Sequence, residues 1–252
     1  AALELDDPPL RAASARALAR LMRRRSDVVV RRDVVTRAIV AELELSESLA
    51  RIQRGLGLHG VDRTAPIRSA RGQGAEVLLT LALIEERDRS IERAITLLEL
   101  LHPNAGLDVV ADNLRSDLPS RRANAVEVLD NTVREDMKKR LLPLIEDRAL
   151  PRTDPPRSRQ EYLASLIVGR HPWIAACAAQ LANEERLPGL AGPLERGLAS
   201  PVPYVREACA SALGRLAPAE ARSALEKLLD DPAPAVRRVA EGALVLARLV
   251  SA

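Results

Sequence analysis

The chain has 252 residues and a formal net charge of +3, and it is 47% hydrophobic but only 1% aromatic: Phe is absent and Tyr162, Trp173 and Tyr204 are the only large rings. Its core must therefore be aliphatic, which suits thin stacked helical layers and argues against an enclosed apolar ligand pocket, since such pockets recruit rings. The sequence contains neither an uncharged apolar run of roughly 18 residues nor a basic segment followed by an apolar stretch and a cleavage site, so it is read as soluble and cytoplasmic, or as the cytoplasmic part of something larger.

In chain order, residues 1–54 read as an N-terminal helical repeat region. Asp7-Pro8-Pro9-Leu10-Arg11-Ala12-Ala13 leads into a helix over Ala15 to Leu21, and a partner helix is expected at about 27–53. This region is strongly basic. Residues 11–37 hold nine arginines against Asp27 and Asp33 alone, which leaves the remainder of the chain net acidic. Arg20, Arg23, Arg24, Arg25, Arg31 and Arg32 form the densest part of this patch. It is read either as a solvated helix face or as a surface for nucleic acid or anionic lipid. No aromatic residues are interleaved to stack bases.

Residues 55–75, rich in Gly and Arg with Pro66, are expected to form a loop. Residues 76–148 carry central repeats, with helices expected at 76–101, 104–115, from Ala125 to Leu129, and at 134–147. Residues 149–159, with Pro151, Pro155 and Pro156, form a Pro-rich joint. Residues 160–252 carry the clearest repeats. Segments beginning at Trp173, Val205 and Val236 align over nine residues each, and each follows a proline-bearing joint: His171-Pro172, Ser200-Pro201-Val202-Pro203 and Asp231-Pro232-Ala233-Pro234. Second helices lie between them, for example Ala219 to Leu229 with Leu225, Leu228 and Leu229 on one face. Apolar residues at i, i+4 and i+8 mark a single buried face, and small alanines let neighbouring helices approach. One helix pair cannot bury both of its faces, so stacking is obligatory. Because the joint-like Leu5-Asp6-Asp7-Pro8 opens the chain and the apolar run Ala243 to Val250 nearly closes it, we expect a piece of a longer protein, since stack ends need polar caps.

These segments, with Asp231 six residues before Arg237, resemble the HEAT-repeat superfamily in its phycobilisome-lyase-like branch. Arg122-Ala-Asn-Ala-Val-Glu-Val-Leu-Asp-Asn131 and Arg140-Leu-Leu-Pro-Leu-Ile-Glu-Asp147 are similar to the HEAT module of bacterial membrane proteins related to ATP/ADP translocases. The resemblance implies an all-α solenoid of stacked HEAT-like helix pairs. It also implies a non-catalytic scaffold that binds a protein partner, in the cytoplasm beside a membrane transporter. A different branch of HEAT-like folds, the alkylpurine DNA glycosylases, supplies the alternative of a nucleic-acid-binding protein.

Catalytic, metal and cofactor chemistry is not expected. His59, His102 and His171 stand far apart, without Cys or Asp at ligand spacing. Gly55-Leu56-Gly57 and Arg71-Gly72-Gln73-Gly74 lack the Lys and the Ser or Thr of a phosphate-binding loop. Cys177 and Cys209, each among alanines and in equivalent repeat positions, read as reduced core residues. The candidate partner contacts are Arg206, Arg237, Arg238, Trp173 and Tyr204. For the two rings, packing at the joints competes with a role as binding hot spots. For Arg206 and Arg237 the HEAT resemblance supplies a competing role, a ladder of Arg–Asp bonds in which Asp231 serves Arg237.

Overall fold

The computed structural model describes residues 2–4, 7–25, 27–58, 74–146 and 157–250. Among these the chain is all-α and strand-free. The helices are α1 (Pro8–Arg24), α2 (Arg32–Gly55), α3 (Ala75–Glu99), α4 (Leu107–Leu114), α5 (Pro119–Thr132) and α6 (Glu135–Ile145). They are followed by α7 (Arg159–Ile167), α8 (Pro172–Glu184), α9 (Ala191–Gly197), α10 (Pro203–Leu216), α11 (Pro218–Lys227) and α12 (Pro234–Val250). The architecture is that of an α-solenoid, built by stacking helix pairs. The expected loop at 55–75 and joint at 149–159 fall largely outside the described residues; α2 runs on to Gly55 and α7 begins at Arg159.

Two compact units divide the chain: Ala1–Arg51 with Ile84–Thr153, and Ile52–Leu83 with Asp154–Ala252. The first has an aliphatic core in which Ile39 and Leu43 of α2 meet Ile95 and Leu98 of α3, Leu129 of α5 and Leu141 of α6. Alanines complete the layer where helices come close, as with Ala15 and Ala19 of α1 and Ala94 of α3. Asp7 opens α1 by accepting a hydrogen bond from the Leu10 amide at 2.9 Å.

In the second unit α7 packs on α8, α9 on α10 and α11 on α12, while α8, α10 and α12 pack on one another in succession. Ser158 and Glu161 form a capping box at the start of α7. Proline begins α8, α10 and α12, where the missing amide hydrogen costs nothing. These prolines, at 172, 203 and 234, are 31 residues apart in both intervals and correct the expected repeat register by one position. Ile174, Val205 and Val236 are the equivalent buried residues, and Trp173 is equivalent to Tyr204 and Ala235. Cys177 and Cys209 are therefore not equivalent; both are buried and unpaired, and burial pushes each thiol up to about 12. Leu229, expected on the inner face with Leu225 and Leu228, is 38% exposed, because the chain tightens into a 3-10 turn over Leu228–Asp230 and rotates it outward.

The repeats pack closely enough that one glycine is required. A methyl group added at Gly214 in α10 would overlap the Ala243 Cβ of α12 and lie 3.2 Å from its Cα. Gly214→Ala is expected to destabilise the chain by about 1–3 kcal/mol in urea unfolding, because the backbone of α12 must move to admit it.

Candidate functional site

The joints of the second unit are built on one plan with different chemistry. Ser200 Oγ accepts from the Val202 amide at 3.2 Å, and Asp231 Oδ1 accepts from the Ala233 amide at 2.8 Å, so both side chains close the turn before a helix. Arg206 donates through Nη1 to the Ser200 carbonyl of its own joint at 2.8 Å. Its Nε and Nη2 reach Asp231 Oδ2 and Oδ1 in the next joint at 2.7 and 2.8 Å. The Arg206 guanidinium, bonded at all three nitrogens, holds the Asp231 carboxyl below the usual carboxylate range.

Arg237 repeats only the first half of this pattern, donating to the Asp231 carbonyl at 2.6 Å and to the Pro232 carbonyl at 3.3 Å. Of the expected ladder the described residues show one rung, and in it the Asp231 carboxylate serves Arg206 of the preceding repeat and not Arg237. A carboxylate caps its own turn and faces backwards, so the arginine that it meets comes from the helix already laid down.

The rings are placed differently from the packing expectation. Trp173 is 49% and Tyr204 44% exposed, with ring centroids 6.1 Å apart at 75°, an edge-to-face pair across the first turns of α8 and α10. They stand outside because the prolines before them set the helix phase, turning the next residue inward: Ile174 and Val205 fill the core in their place. Arg238 is exposed on the first turns of α12. Apart from the pair, a groove of about 390 Å³ runs between the joint before α8 and the joint before α10. Val168, Pro172, Pro201 and Val202 supply apolar lining, and Arg170 and Arg196 supply charge.

The basic N-terminal patch is partly neutralised within the first unit. Arg23 is bound by Glu99 and by Asp108, the latter at 3.5 Å. Arg25 pairs with Asp27, and Arg31 and Arg37 with Asp33, whose carboxyl these arginines hold at about 2. Arg16, Arg20, Arg24 and Arg32 are exposed and have no carboxylate partner among the described residues. His102 lines a cleft with Arg32, Arg37 and Arg134, and burial, with Arg32, keeps its imidazole below its ordinary value.

Sequence reasoning missed the most deeply buried charge among the described residues. Glu42 of α2 is 1% exposed and accepts from Arg11 Nη2 of α1 and Arg93 Nε of α3, each at 2.8 Å. It also accepts from Ser90 Oγ at 3.0 Å, while Ser90 Oγ reaches the Glu42 carbonyl at 2.7 Å. Arg93 continues to Glu86 at 2.8 Å. The carboxylate is sealed inside the layer and ties three helices together. Its one sequence signal is an acid on the otherwise apolar face of Val35, Ile39, Leu43 and Leu49. No group of three or more His, Cys, Asp or Glu among the described residues is placed to hold a metal ion. No helix among them is long and apolar enough to cross a membrane.

Residues 161–245 match the family model of HEAT repeats, covering α7 to α12 except for their outermost ends. No curated protein matches the chain. Among solved structures, a designed armadillo repeat protein aligns over 97% of this chain and 96% of its own, at 16% identity and a TM-score of 0.30.

Proposed function

We propose that the chain is a non-catalytic interaction module that holds a protein partner on the edge formed by Trp173 and Tyr204. The observation that carries this reading is the exposed edge-to-face pair itself: two rings out of three in the whole chain stand half in solvent at equivalent positions of consecutive repeats. Rings at the centre of an interface supply large contact area at small entropic cost and dominate binding energy. HEAT repeats at 161–245 support the same reading, since stacked repeats serve in general to present extended surfaces. Arg237 and Arg238, on the first turns of the next helix α12, are taken as secondary contacts, while Arg206 belongs to the rung with Asp231. The likeness of residues 122–147 to the module of translocase-like proteins supports a cytoplasmic, regulatory place beside a bacterial membrane transporter.

Capture from source-cell lysate tests this, with the intact chain and its Trp173→Ala/Tyr204→Ala variant as baits, each with and without nuclease. We expect proteins retained after nuclease and lost from the variant, while the variant unfolds within about 1 kcal/mol of the parent, because half-exposed rings contribute little to the core. The exposed Arg20, Arg24 and Arg32 support nucleic-acid binding as the second reading. Material lost to nuclease but indifferent to the two rings, with affinity for duplex DNA falling steeply with salt, would put that reading first.

A further inference from the structure

The cleft at His102 gathers polar side chains that have no partner among the described residues. It lies within the first unit, where the first turns of α2, the turn after α3 and the start of α6 meet, and its volume is about 340 Å³. Arg32 and Thr36 line it from one turn of α2, and His102 lines it from the turn after α3. The Arg32 guanidinium, the Thr36 hydroxyl and the His102 imidazole make no side-chain hydrogen bond and no ion pair among the described residues. Arg32 is also near enough to oppose protonation of His102, which makes the two side chains neighbours.

The remaining charges of the cleft are engaged already. Arg37 shares the Asp33 carboxylate with Arg31, and Arg134 holds Asp136. When the lining charges are counted together with the groups bonded to them, the four guanidinium groups of Arg31, Arg32, Arg37 and Arg134 stand against the two carboxylates of Asp33 and Asp136. The excess is positive even with every pair allowed for. Leu101 and Met137 complete the wall with apolar surface.

From these features we infer that the cleft binds a small phosphate monoester. Its oxygens accept from Arg32, Thr36 and His102, and its organic part lies on Leu101 and Met137. A phosphate offers several acceptor oxygens around a tetrahedral centre, which suits a guanidinium fork, a hydroxyl and a ring N–H arriving from two elements. A carboxylate presents two oxygens in one plane and leaves part of this set unmet. The volume admits a small ester, whereas a duplex would lie across the rim, where the exposed arginines of α1 count as much as Arg32. This inference is independent of the contact edge at Trp173 and Tyr204, and either can fail alone.

Calorimetric titration of the full chain with phenyl phosphate, inorganic phosphate and benzoate tests it. The expected result is saturable binding of phenyl phosphate, weaker binding of inorganic phosphate, and benzoate weaker than phenyl phosphate by about tenfold or more. Arg32→Glu is expected to weaken phenyl phosphate about tenfold or more, and Thr36→Val and His102→Gln about threefold or more each. Arg24→Glu makes the same change in net charge outside the cleft and is expected to leave binding unchanged. Because none of these side chains is bonded to the fold, all four variants are expected to keep the parent's urea midpoint. The absence of saturable binding, benzoate as tight as phenyl phosphate, or equal losses from Arg24→Glu and Arg32→Glu overturns the inference. Duplex DNA that binds through Arg32 while phenyl phosphate does not bind overturns it as well and puts the nucleic-acid reading in its place.

Discussion

Glu42→Ala is expected to lower the unfolding free energy by about 3–5 kcal/mol, because it leaves Arg93 and Arg11 with cationic groups at a buried position and no carboxylate between them. Glu42 is not exchangeable for its amide either. Gln keeps the volume and one acceptor, but it removes the negative charge that two guanidinium groups share, so Glu42→Gln is expected to fall between the parent and Glu42→Ala. Urea unfolding followed by far-ultraviolet circular dichroism reads both, and an unchanged midpoint for Glu42→Ala would mean that the cluster contributes nothing to the first unit. Because the bonds run from α1 to α2 to α3, the loss extends beyond a single helix. The three helices are joined by aliphatic contacts that do not specify position closely, and the Glu42 cluster adds directional contacts among all three.

The second large effect is expected at Asp231. Asp231→Ala removes two charge-assisted bonds from Arg206 and one from the Ala233 amide, at a carboxylate almost wholly withdrawn from solvent. We expect a loss of about 3 kcal/mol, near the sum that such bonds contribute when an unpaired partner is left behind. The same rung carries a pH signature. Asp231 is held below its ordinary value in the folded chain, so its contribution is complete above the unfolded carboxylate value of about 4 and is lost as pH falls toward the folded value. The difference in Tm between the parent and Asp231→Asn is therefore expected to be constant from pH 8 to about 5 and to narrow below about 4. A gap that persists undiminished at lower pH would show that the rung stabilises through something other than the ionised carboxylate.

Much of the second unit was legible from residues alone because each repeat marks its own phase. Proline begins the helix, an aliphatic residue two positions on enters the core, and a short polar residue closes the joint. What sequence alignment misjudged was a single residue of register. The residue pattern aligns Trp173 with Val205, whereas the proline spacing places Trp173 with Tyr204 and Ala235. The direction of the Asp231 rung was likewise hidden, since Arg206 lies 25 residues before its carboxylate partner and Arg237 only six after it. In the first unit the helices were legible from apolar spacing, but the Glu42 cluster joins residues up to 51 apart and needed the stacking of three helices to appear. The basic patch was overstated by counting residues 11–37 in isolation, because Glu99 and Asp108, which engage Arg23, come from α3 and α4.

Trp173 stands half in solvent at the rim of the repeats and the chain holds no other tryptophan, so its fluorescence reports on that position alone. Acrylamide quenching of the native protein measures it directly. The expected result is ready quenching and a red-shifted emission in the free chain, close to that of the ring in urea, with quenching suppressed when a captured protein partner is bound. A blue-shifted emission that resists acrylamide in the free chain would place the ring in the core and contradict the contact edge.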